Sequence, residues 1–208
     1  MRLAVFGPTG GTGRELVAQA LAAGHEVTAF SRSPERIKSR PRLEVIGGVT
    51  TDADAVARAV AGRDAVLSAL GGKPWLRREH VCANAVARIV GAMRMHGVKR
   101  IIAVSTFGVG DSRPRLDWFH RVVMMGFLLA SEVADKEAME QQLAASGLEW
   151  TAVRVGILTS EAPQNHWRTA DNDSLFGMGS IARADVAAFM LGEVKQREWI
   201  GRHPAVMY

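Results

Sequence analysis

A glycine-rich segment directly after the first apolar run is the feature that most restricts the fold of this chain. It follows an apolar run at residues 3–6, precedes a helical pattern at 14–23, and reads Gly7-Pro8-Thr9-Gly10-Gly11-Thr12-Gly13. Glycine adopts left-handed backbone conformations at little cost and allows another backbone to approach closely. A strand, such a turn and a helix in this order predict the first βαβ unit of a nucleotide-binding α/β fold.

The rest of the chain alternates between short apolar runs and helical patterns. Strands are predicted at residues 3–6, 26–30, 43–46, 65–69, 100–105 and 150–155. Helices are predicted at 14–23, 52–61, 79–96, 114–145 and 184–194, and the stretch 160–179 is predicted to be a loop or small lid. This alternation predicts a parallel sheet covered by helices. With 208 residues and no linker-like segment, we predict one Rossmann-type domain over residues 1–208, a doubly wound parallel α/β sheet.

Composition narrows the function classes. The net charge of +5 favours anionic ligands, but the basic residues are scattered, so nucleic-acid binding is not expected. The single cysteine, Cys82, excludes a disulfide framework and fits a reducing compartment. The apolar stretch 122–130 is about half as long as a membrane span, and the histidines share no close spacing typical of a metal site. We therefore expect a cytoplasmic protein with no metal centre.

The glycine spacing also indicates a ligand. Gly7, Gly10 and Gly13 form a GxxGxxG pattern, which lets a backbone approach a pyrophosphate without a side-chain clash. The helix that follows directs its free N–H groups and the positive end of its dipole at the phosphates. A glycine-rich turn without a ligand is the structural alternative. The strand-turn-helix context favours a dinucleotide.

The end of the second predicted strand suggests which dinucleotide binds. An NAD site usually carries an acidic residue here for the ribose 2′-hydroxyl, whereas an NADP site carries arginine for the 2′-phosphate. This chain has Arg32 and Arg36 instead of an acidic residue at the strand end. A solvated basic face is the alternative, but the position favours NADP(H). Further contacts are expected at the carboxyl ends of strands, in segments 68–72, 104–108 and 154–158.

The usual acid/base pair of short-chain dehydrogenases is missing. Those enzymes use a Tyr-x-x-x-Lys motif, in which tyrosine donates the proton. The single tyrosine here is Tyr208, and Glu132 stands four residues before Lys136 in the matching helix. A glutamate at this spacing is also an ordinary partner for a lysine on a helix surface.

Several segments along the chain match one known group. They are FGPTGGTG (6–13), FSR (30–32), AGRDAV (61–66), GVKRII (97–102), ADKE (134–137), SGLEWT (146–151), RVG (154–156) and IARADVA (181–187). With these segments the chain resembles atypical short-chain dehydrogenase/reductases of the NAD(P)H-binding type. This group includes the biliverdin-IXβ reductase/flavin reductase family and the NmrA-like proteins.

The resemblance implies roles for individual residues. Arg32 and Arg36 would hold the 2′-phosphate, and Leu70 and Gly71 would pass beside the adenosine ribose and phosphate. Lys136 would reach the nicotinamide ribose, and a hydroxyl residue matching Thr106 lies beside the hydride-transfer site in the flavin-reductase branch. The pyrophosphate, nicotinamide-ribose and nicotinamide contacts would come from the glycine loop and two strand ends: Gly7, Thr9, Gly10, Gly11, Thr12, Gly13, Val104, Ser105, Thr106, Val155, Gly156 and Ile157.

Two departures from the family pattern affect these expectations. The family often has Gly-Asp-Val after the third strand, where this chain has Gly47-Gly48-Val49, so only backbone contact from Gly48 and Val49 is expected there. The flavin-reductase branch has a pocket histidine where this chain has Ile157. A tetrapyrrole-reductase role is therefore not carried over.

These observations leave two functions in competition. The leading one is an NADPH-dependent reductase of a planar conjugated acceptor, a flavin or quinone, with Ser105, Thr106 and Lys136 as the catalytic candidates. Segments 111–130 and 160–180 would form the substrate side. Trp118, Met124, Met125 and Trp167 would offer an apolar surface there, or else belong to the core. The alternative is a non-catalytic NmrA-like NADP(H) sensor whose partner docks on 111–130; a sugar-nucleotide epimerase would need the missing pair. The chain is expected to be a monomer or homodimer.

Overall fold

The structure is a computed structural model that describes residues 1–71, 80–170 and 179–208. Its strands are β1 Arg2–Phe6, β2 Glu26–Ser31, β3 Leu43–Gly47, β4 Ala65–Ser68, β5 Arg100–Thr106, β6 Glu149–Val155, β7 Ile157–Thr159, β8 Arg168–Ala170, β9 Ser180–Ala182 and β10 Ala205–Met207. Its α-helices are α1 Gly11–Ala22, α2 Ala53–Val60, α3 Val81–Met95, α4 Ala130–Ala144 and α5 Arg183–Gln196.

Eight strands form one twisted sheet in the order β3-β2-β1-β4-β5-β6-β10-β8. Its strand pairs are parallel except for the edge pair β10–β8. The strand order reverses between β1 and β4, which is where open α/β sheets bind ligands at the carboxyl ends of their strands. The doubly wound Rossmann-type fold predicted from the sequence is confirmed.

The core lies on both faces of this sheet. Along β1, Ala4 and Phe6 pack on the face covered by α2, α3 and α4, whereas Leu3 and Val5 pack on the face covered by α1 and α5. A strand buried on both faces needs an unbroken apolar run. This requirement explains why the central strands read as continuous hydrophobic segments rather than alternating ones.

The long helix predicted over residues 114–145 is wrong, because the structure divides this stretch. A 3₁₀ turn at Gly110–Arg115 contains Pro114, and a π-helix follows at His120–Leu128. The start of this segment is held by Asp117, whose Oδ1 accepts the His120 backbone N–H at 3.1 Å. Leu129 has φ −112° and ψ 12° immediately before α4. Leu116 has extended backbone (φ −77°, ψ 144°) and ends the 3₁₀ turn, and Leu129 interrupts helical geometry again, so no continuous helix spans this stretch.

The predicted loop over 160–179 also needs a correction, because it contains β8. This strand pairs antiparallel with β10, with Ala170 opposite Ala205. Three residues are too few to show a period of two in the sequence, so tertiary pairing decides the strand. The remainder of that prediction at 171–178, and the start of the predicted helix at residue 79, lie outside the described residues.

Across the described ranges, none of the helices has the length and apolar character to cross a membrane.

Candidate functional site

The glycine loop joins the carboxyl end of β1 to α1 under tight packing constraints. Gly7 has φ +80°, and a Cβ atom there would lie 2.8 Å from the Ala69 carbonyl oxygen. A Cβ atom on Gly13 would lie 2.0 Å from the Gly7 carbonyl oxygen. Real Cβ atoms do not approach oxygen so closely, so these two positions accept only glycine.

The start of α1 presents an anion-binding end. Gly10 occupies the N-cap position without a side-chain hydrogen bond, and α1 begins at Gly11. The first amides of a helix have no partner within it, and they lie at the positive end of its dipole. A pyrophosphate over this turn would accept these N–H bonds. The loop thus fits the phosphates of a dinucleotide.

A cavity of about 370 Å³ opens beside this helix end. Its walls come from α1, the segments after β4, β5 and β6, the π-helix, α4 and the start of α5. The residues that line it are Thr12, Ala69, Leu70, Gly71, Val104, Ser105, Thr106, His120, Leu129, Glu132, Val133, Lys136, Val155, Gly156, Ile157, Leu158 and Arg183. Predicted site residues from five separate segments therefore meet in one cavity.

Lys136 connects two strand ends at the floor of this cavity. Its side chain is 4% exposed, and its Nζ donates to the Leu70 carbonyl at 3.0 Å and to the Val104 carbonyl at 2.7 Å. An ammonium group has three donors. Two of them bind the chain after β4 and the end of β5, and the ammonium also interacts with the Cys82 thiol.

The two predicted hydroxyl residues differ in their surroundings. Thr106 is half-buried at the cavity wall, and its Oγ1 donates to its neighbour's carbonyl, that of Phe107, at a long 3.4 Å. Ser105 is 1% exposed, and its Oγ donates to Glu140 Oε1 at 2.6 Å. The Thr106 hydroxyl is thus available to a ligand, whereas the Ser105 hydroxyl is already committed to Glu140.

Glu140 belongs to a buried charge cluster behind the cavity. Arg154 donates from Nε at 3.1 Å and from Nη2 at 2.7 Å to its two carboxylate oxygens. The same guanidinium donates from Nη1 to Asp111 at 2.5 Å. Burial alone would raise the pKa of Asp111, but the hydrogen bond and charge of Arg154 outweigh burial and lower it. The cluster ties both the Gly110–Arg115 turn and α4, which carries Glu132, Val133 and Lys136 of the cavity wall, to the sheet.

A second cavity of about 310 Å³ lies against the other side of the glycine loop. Its walls combine the loop, α1 and the chain between β2 and β3, and include Pro8, Thr9, Arg14, Val17, Arg36, Ile37, Lys38, Arg40 and Leu43. Of the two predicted phosphate-binding arginines, Arg36 lines this cavity and Arg32 is exposed at the end of β2. Sequence reasoning missed Arg14, Lys38 and Arg40. For Lys38 and Arg40 the signal was the density of basic residues around Arg36, and for Arg14 it was its position directly after the glycine loop.

The segment after β3 lies apart from the main cavity. The Gly48 backbone N–H donates to the Ser31 carbonyl at 3.0 Å, and the Val49 side chain is 47% exposed. A Cβ atom on Gly48 would come within 3.1 Å of the Phe30 ring. Gly48 therefore has a packing role, and its predicted cofactor contact remains a prediction.

Arg183 is a site residue that sequence reasoning did not assign. Its side chain crosses the helix end, since a Cβ atom on Gly11 would lie 2.4 Å from its Cδ. Its Nη1 donates to Ser160 Oγ at 2.9 Å. A positive charge beside the start of α1 suits a phosphate. The segment IARADVA, already noted as a family match, was the available signal.

The aromatic surface predicted for a planar acceptor is not assembled as expected. Trp118 is 66% exposed, and Trp167 packs edge-on against Phe189 with ring centroids 6.3 Å apart. The side chains of Met124 and Met125 lie outside the described part of the structure. In the described cavity wall, the apolar surface comes instead from aliphatic residues, namely Leu129, Val133, Val155, Ile157 and Leu158.

Tyr208 does not line the cavity, and its hydroxyl instead binds the start of α5. Its hydroxyl donates to Asp185 Oδ2 at 2.5 Å and accepts the Ala182 backbone N–H at 3.0 Å. Asp185 is fully buried at the start of α5. Among the described residues, no group of three acidic, histidine or cysteine side chains could hold a metal ion.

The fold and the cavity define a dinucleotide-binding protein of the Rossmann class. The family model described as NAD(P)H-binding matches residues 7–197. The chain therefore belongs to the NAD(P)H-binding family, and the predicted cofactor class is confirmed.

Individual proteins also resemble the chain over most of its length. An uncharacterized protein of Mycobacterium tuberculosis is 32% identical over 161 residues, which cover 76% of this chain but only 15% of that longer protein. The anaerobilin reductase ChuY of Escherichia coli O157:H7 has a TM-score of 0.82 and 23% identity, and the match covers 100% of this chain and 97% of that one. A short-chain dehydrogenase/reductase of Veillonella parvula, solved in complex with NADP, has a TM-score of 0.85 and 18% identity, covering 100% and 94%. The two solved structures are similar in fold.

Proposed function

We propose that the protein is an NADPH-dependent reductase of a planar conjugated acceptor, a flavin or quinone, acting in the cytoplasm. One observation carries the proposal: a single cavity extends from the helix end of the glycine loop to an aliphatic wall above three strand ends. A phosphate-binding end and an apolar slot in one cavity suit a cofactor and a flat acceptor placed side by side.

The cofactor would lie along the carboxyl edge of the sheet. The loop Gly7–Gly13 and Arg183 would hold the pyrophosphate, while Leu70 and Gly71 would flank the adenosine. The basic cavity around Arg36 would take the 2′-phosphate, with Arg32 at its rim. The NADP bound to the Veillonella protein of similar fold supports this preference.

The chain's own residues would orient the two reactants. When bound, the reduced nicotinamide supplies the hydride. Val104, Val155, Gly156 and Ile157 would line its ring, and the ammonium of Lys136 would hold its ribose. The Thr106 hydroxyl would donate to the acceptor, whereas Ser105 would act through Glu140 by keeping the end of β5 in place. The anaerobilin reductase of similar fold supports a reductase role.

The test combines binding with turnover. Titration of the protein with NADPH and NADH measures cofactor choice, and stopped-flow absorbance then follows NADPH oxidation with FMN or a naphthoquinone. We expect tighter binding of NADPH and oxidation well above the rate without protein. Tighter NADH binding would contradict the 2′-phosphate assignment, and oxidation at the free-solution rate with every acceptor would contradict the reductase.

A non-catalytic NADP(H) sensor is the second candidate. The observation in its favour is the outer face of the segment 118–128, where Trp118, Phe119 and Leu128 are 66%, 53% and 61% exposed. Such a surface suits a partner protein or a second copy of this chain. Cofactor binding without turnover, together with different partner affinities of the NADP⁺ and NADPH forms, would favour the sensor.

A further inference from the structure

We propose that Glu132 is the proton donor of the reductase, in the place where related enzymes use tyrosine. The inference rests on the proposed function. It adds a catalytic residue to the set predicted from the sequence. It also narrows the acceptor to conjugated carbonyl compounds, because their oxygen must gain a proton when they are reduced.

The position of Glu132 supports this role. It lies in the first turn of α4 and lines the cavity together with Thr106, His120 and Lys136. Residues four apart lie on the same face of a helix, so Glu132 stands one turn from Lys136 on the face turned to the cavity. This is the relation between proton donor and lysine in the Tyr-x-x-x-Lys arrangement, with a carboxyl group instead of a phenol.

The other glutamates of the same helix are already bound to protein groups. Glu140 accepts from Ser105 and Arg154, and Glu137 accepts the Gly110 backbone N–H at 3.1 Å. Within the described ranges, the Glu132 carboxyl group has neither a hydrogen bond nor an ion pair. A half-buried carboxyl group that faces a cavity without a protein partner is free to bind a ligand atom there.

The surroundings of Glu132 raise the pKa of its carboxyl group. Burial raises its pKa above the usual value, Lys136 counteracts this in part, and the neighbouring carboxylate of Asp135 raises it further. The Lys136 ammonium is already held by two carbonyl groups. The other titratable or charged groups in the described cavity wall are His120 and Arg183. A raised pKa increases the fraction of carboxylic acid near neutral pH, which is the form that can donate.

The proposed step balances with the cofactor as reductant. The acceptor gains a hydride, with its electron pair, from the reduced nicotinamide, which is oxidised. The Glu132 O–H bond breaks, and its proton joins the carbonyl oxygen of the acceptor. The carboxylate left behind regains a proton from water. Thr106 would hold the same oxygen by a hydrogen bond.

Glu132→Gln tests the proposal, because it keeps the shape of the side chain and removes the acid. Glu198→Gln is the matched control, since Glu198 is exposed and lies away from the cavity. Single-turnover oxidation of bound NADPH by a naphthoquinone is measured between about pH 5 and about pH 9. We expect the wild-type rate to fall as pH rises through the raised pKa. The Glu132→Gln rate should be about 100-fold lower and independent of pH, and Glu198→Gln should match wild type.

Two further measurements separate chemistry from folding. Infrared spectra taken across the same pH range should show a protonated-carboxyl band that persists to higher pH than that of an ordinary glutamate, and that Glu132→Gln loses and Glu198→Gln keeps. NADPH affinity should change by less than about three-fold in both variants, which also verifies that they fold. Glu132→Asp, which keeps the acid on a shorter stem, should retain the fall in rate with pH.

The outcomes are distinguishable from failure of the proposed function. An active wild type together with a Glu132→Gln variant of equal rate and pH profile would overturn the proton donor alone. A Glu132→Gln variant that keeps the same protonated-carboxyl band as wild type would also overturn the proton donor alone. A wild type that reduces no acceptor would overturn the reductase and the donor with it.

Discussion

The two sides of the main cavity are built in different ways. The cofactor side is one local segment, Gly7–Gly13, whose shape depends on close backbone contacts such as that between Gly13 and the Gly7 carbonyl. The proposed acceptor side comes from the π-helix and α4; Arg154 fastens α4 and the turn Gly110–Arg115 to the sheet, and Glu137 binds that turn to α4. Backbone geometry thus secures cofactor binding, while the acceptor side can change its side chains without disturbing that geometry.

The largest effect is expected on NADPH affinity, from a substitution in the glycine loop on the cofactor side. Gly13→Ala places a Cβ atom 2.0 Å from the Gly7 carbonyl oxygen, so the loop must shift away from the position that suits the pyrophosphate. We expect NADPH affinity to fall by at least about 100-fold, measured by fluorescence titration. Gly91→Ala is the control, because no atom lies within 4 Å of a Cβ atom there. It should bind NADPH normally and be more stable by about 0.5–1 kcal/mol, as expected for alanine in a helix.

The next largest effect is expected on the unfolding free energy, from a substitution in the buried charge cluster beside the proposed acceptor side. Arg154→Met removes the guanidinium that pairs with Glu140, and the carboxylate stays buried at 5% exposure. Breaking a buried ion pair in this way costs about 3–5 kcal/mol of unfolding free energy, measured by urea denaturation. Arg197→Met, which breaks an exposed pair with Glu149, should cost less than about 1 kcal/mol. Equal losses in the two variants would show that the cluster does not hold the acceptor side.

A third prediction tests whether the basic cavity around Arg36 binds the 2′-phosphate of the cofactor. Arg36→Ala removes one cation from the basic cavity beside Thr9, so it should weaken NADPH binding about 10-fold to 100-fold. NADH lacks the 2′-phosphate, and its affinity should stay unchanged. Arg88→Ala, an exposed change on α3, should alter neither affinity. Parallel losses for NADH and NADPH would place the 2′-phosphate elsewhere.

The smallest effect concerns the pH dependence of the acceptor side. Arg154 holds the pKa of Asp111 below its ordinary value, against the opposing effect of burial. The folded protein therefore binds fewer protons here than the unfolded chain, and the stabilisation is present above the unfolded pKa. It is lost as pH falls toward the folded pKa. Since Asp111 is 66% exposed, Asp111→Asn should cost less than about 1 kcal/mol at neutral pH. The cost should vanish in acid, and unfolding curves across acidic pH would reveal it.

The sequence predicted the residues that line the main cavity where their determinants are local. The glycine spacing identifies the loop because each glycine answers a backbone requirement within a few residues. The strand ends after β4, β5 and β6 were also predictable, because parallel strands place their carboxyl ends along one edge. Arg183 was not found, because its approach to Gly11 depends on how α5 packs beside α1, across a long sequence separation.

The acceptor side was poorly predicted for the same physical reason. Hydrophobic periodicity made residues 114–145 look like one helix, but the extended backbone at Leu116 and the non-helical backbone at Leu129 interrupt it before α4 begins. The exposed position of Trp118 and the packing of Trp167 on Phe189 are likewise results of tertiary contacts. A pattern along the chain does not show which face of a redirected segment meets the cavity.

The sequence alone determined the Rossmann-type sheet, the glycine loop and the NAD(P)H-binding class, since these depend on backbone conformation and on apolar runs that neighbouring residues specify. Only the tertiary structure decided that Ser105 serves Glu140, that Lys136 bridges two strand ends, and that Glu132 faces the cavity without a protein partner. Those outcomes depend on side chains from distant segments meeting in a buried place. There, each polar group must either find a partner or remain available for a ligand.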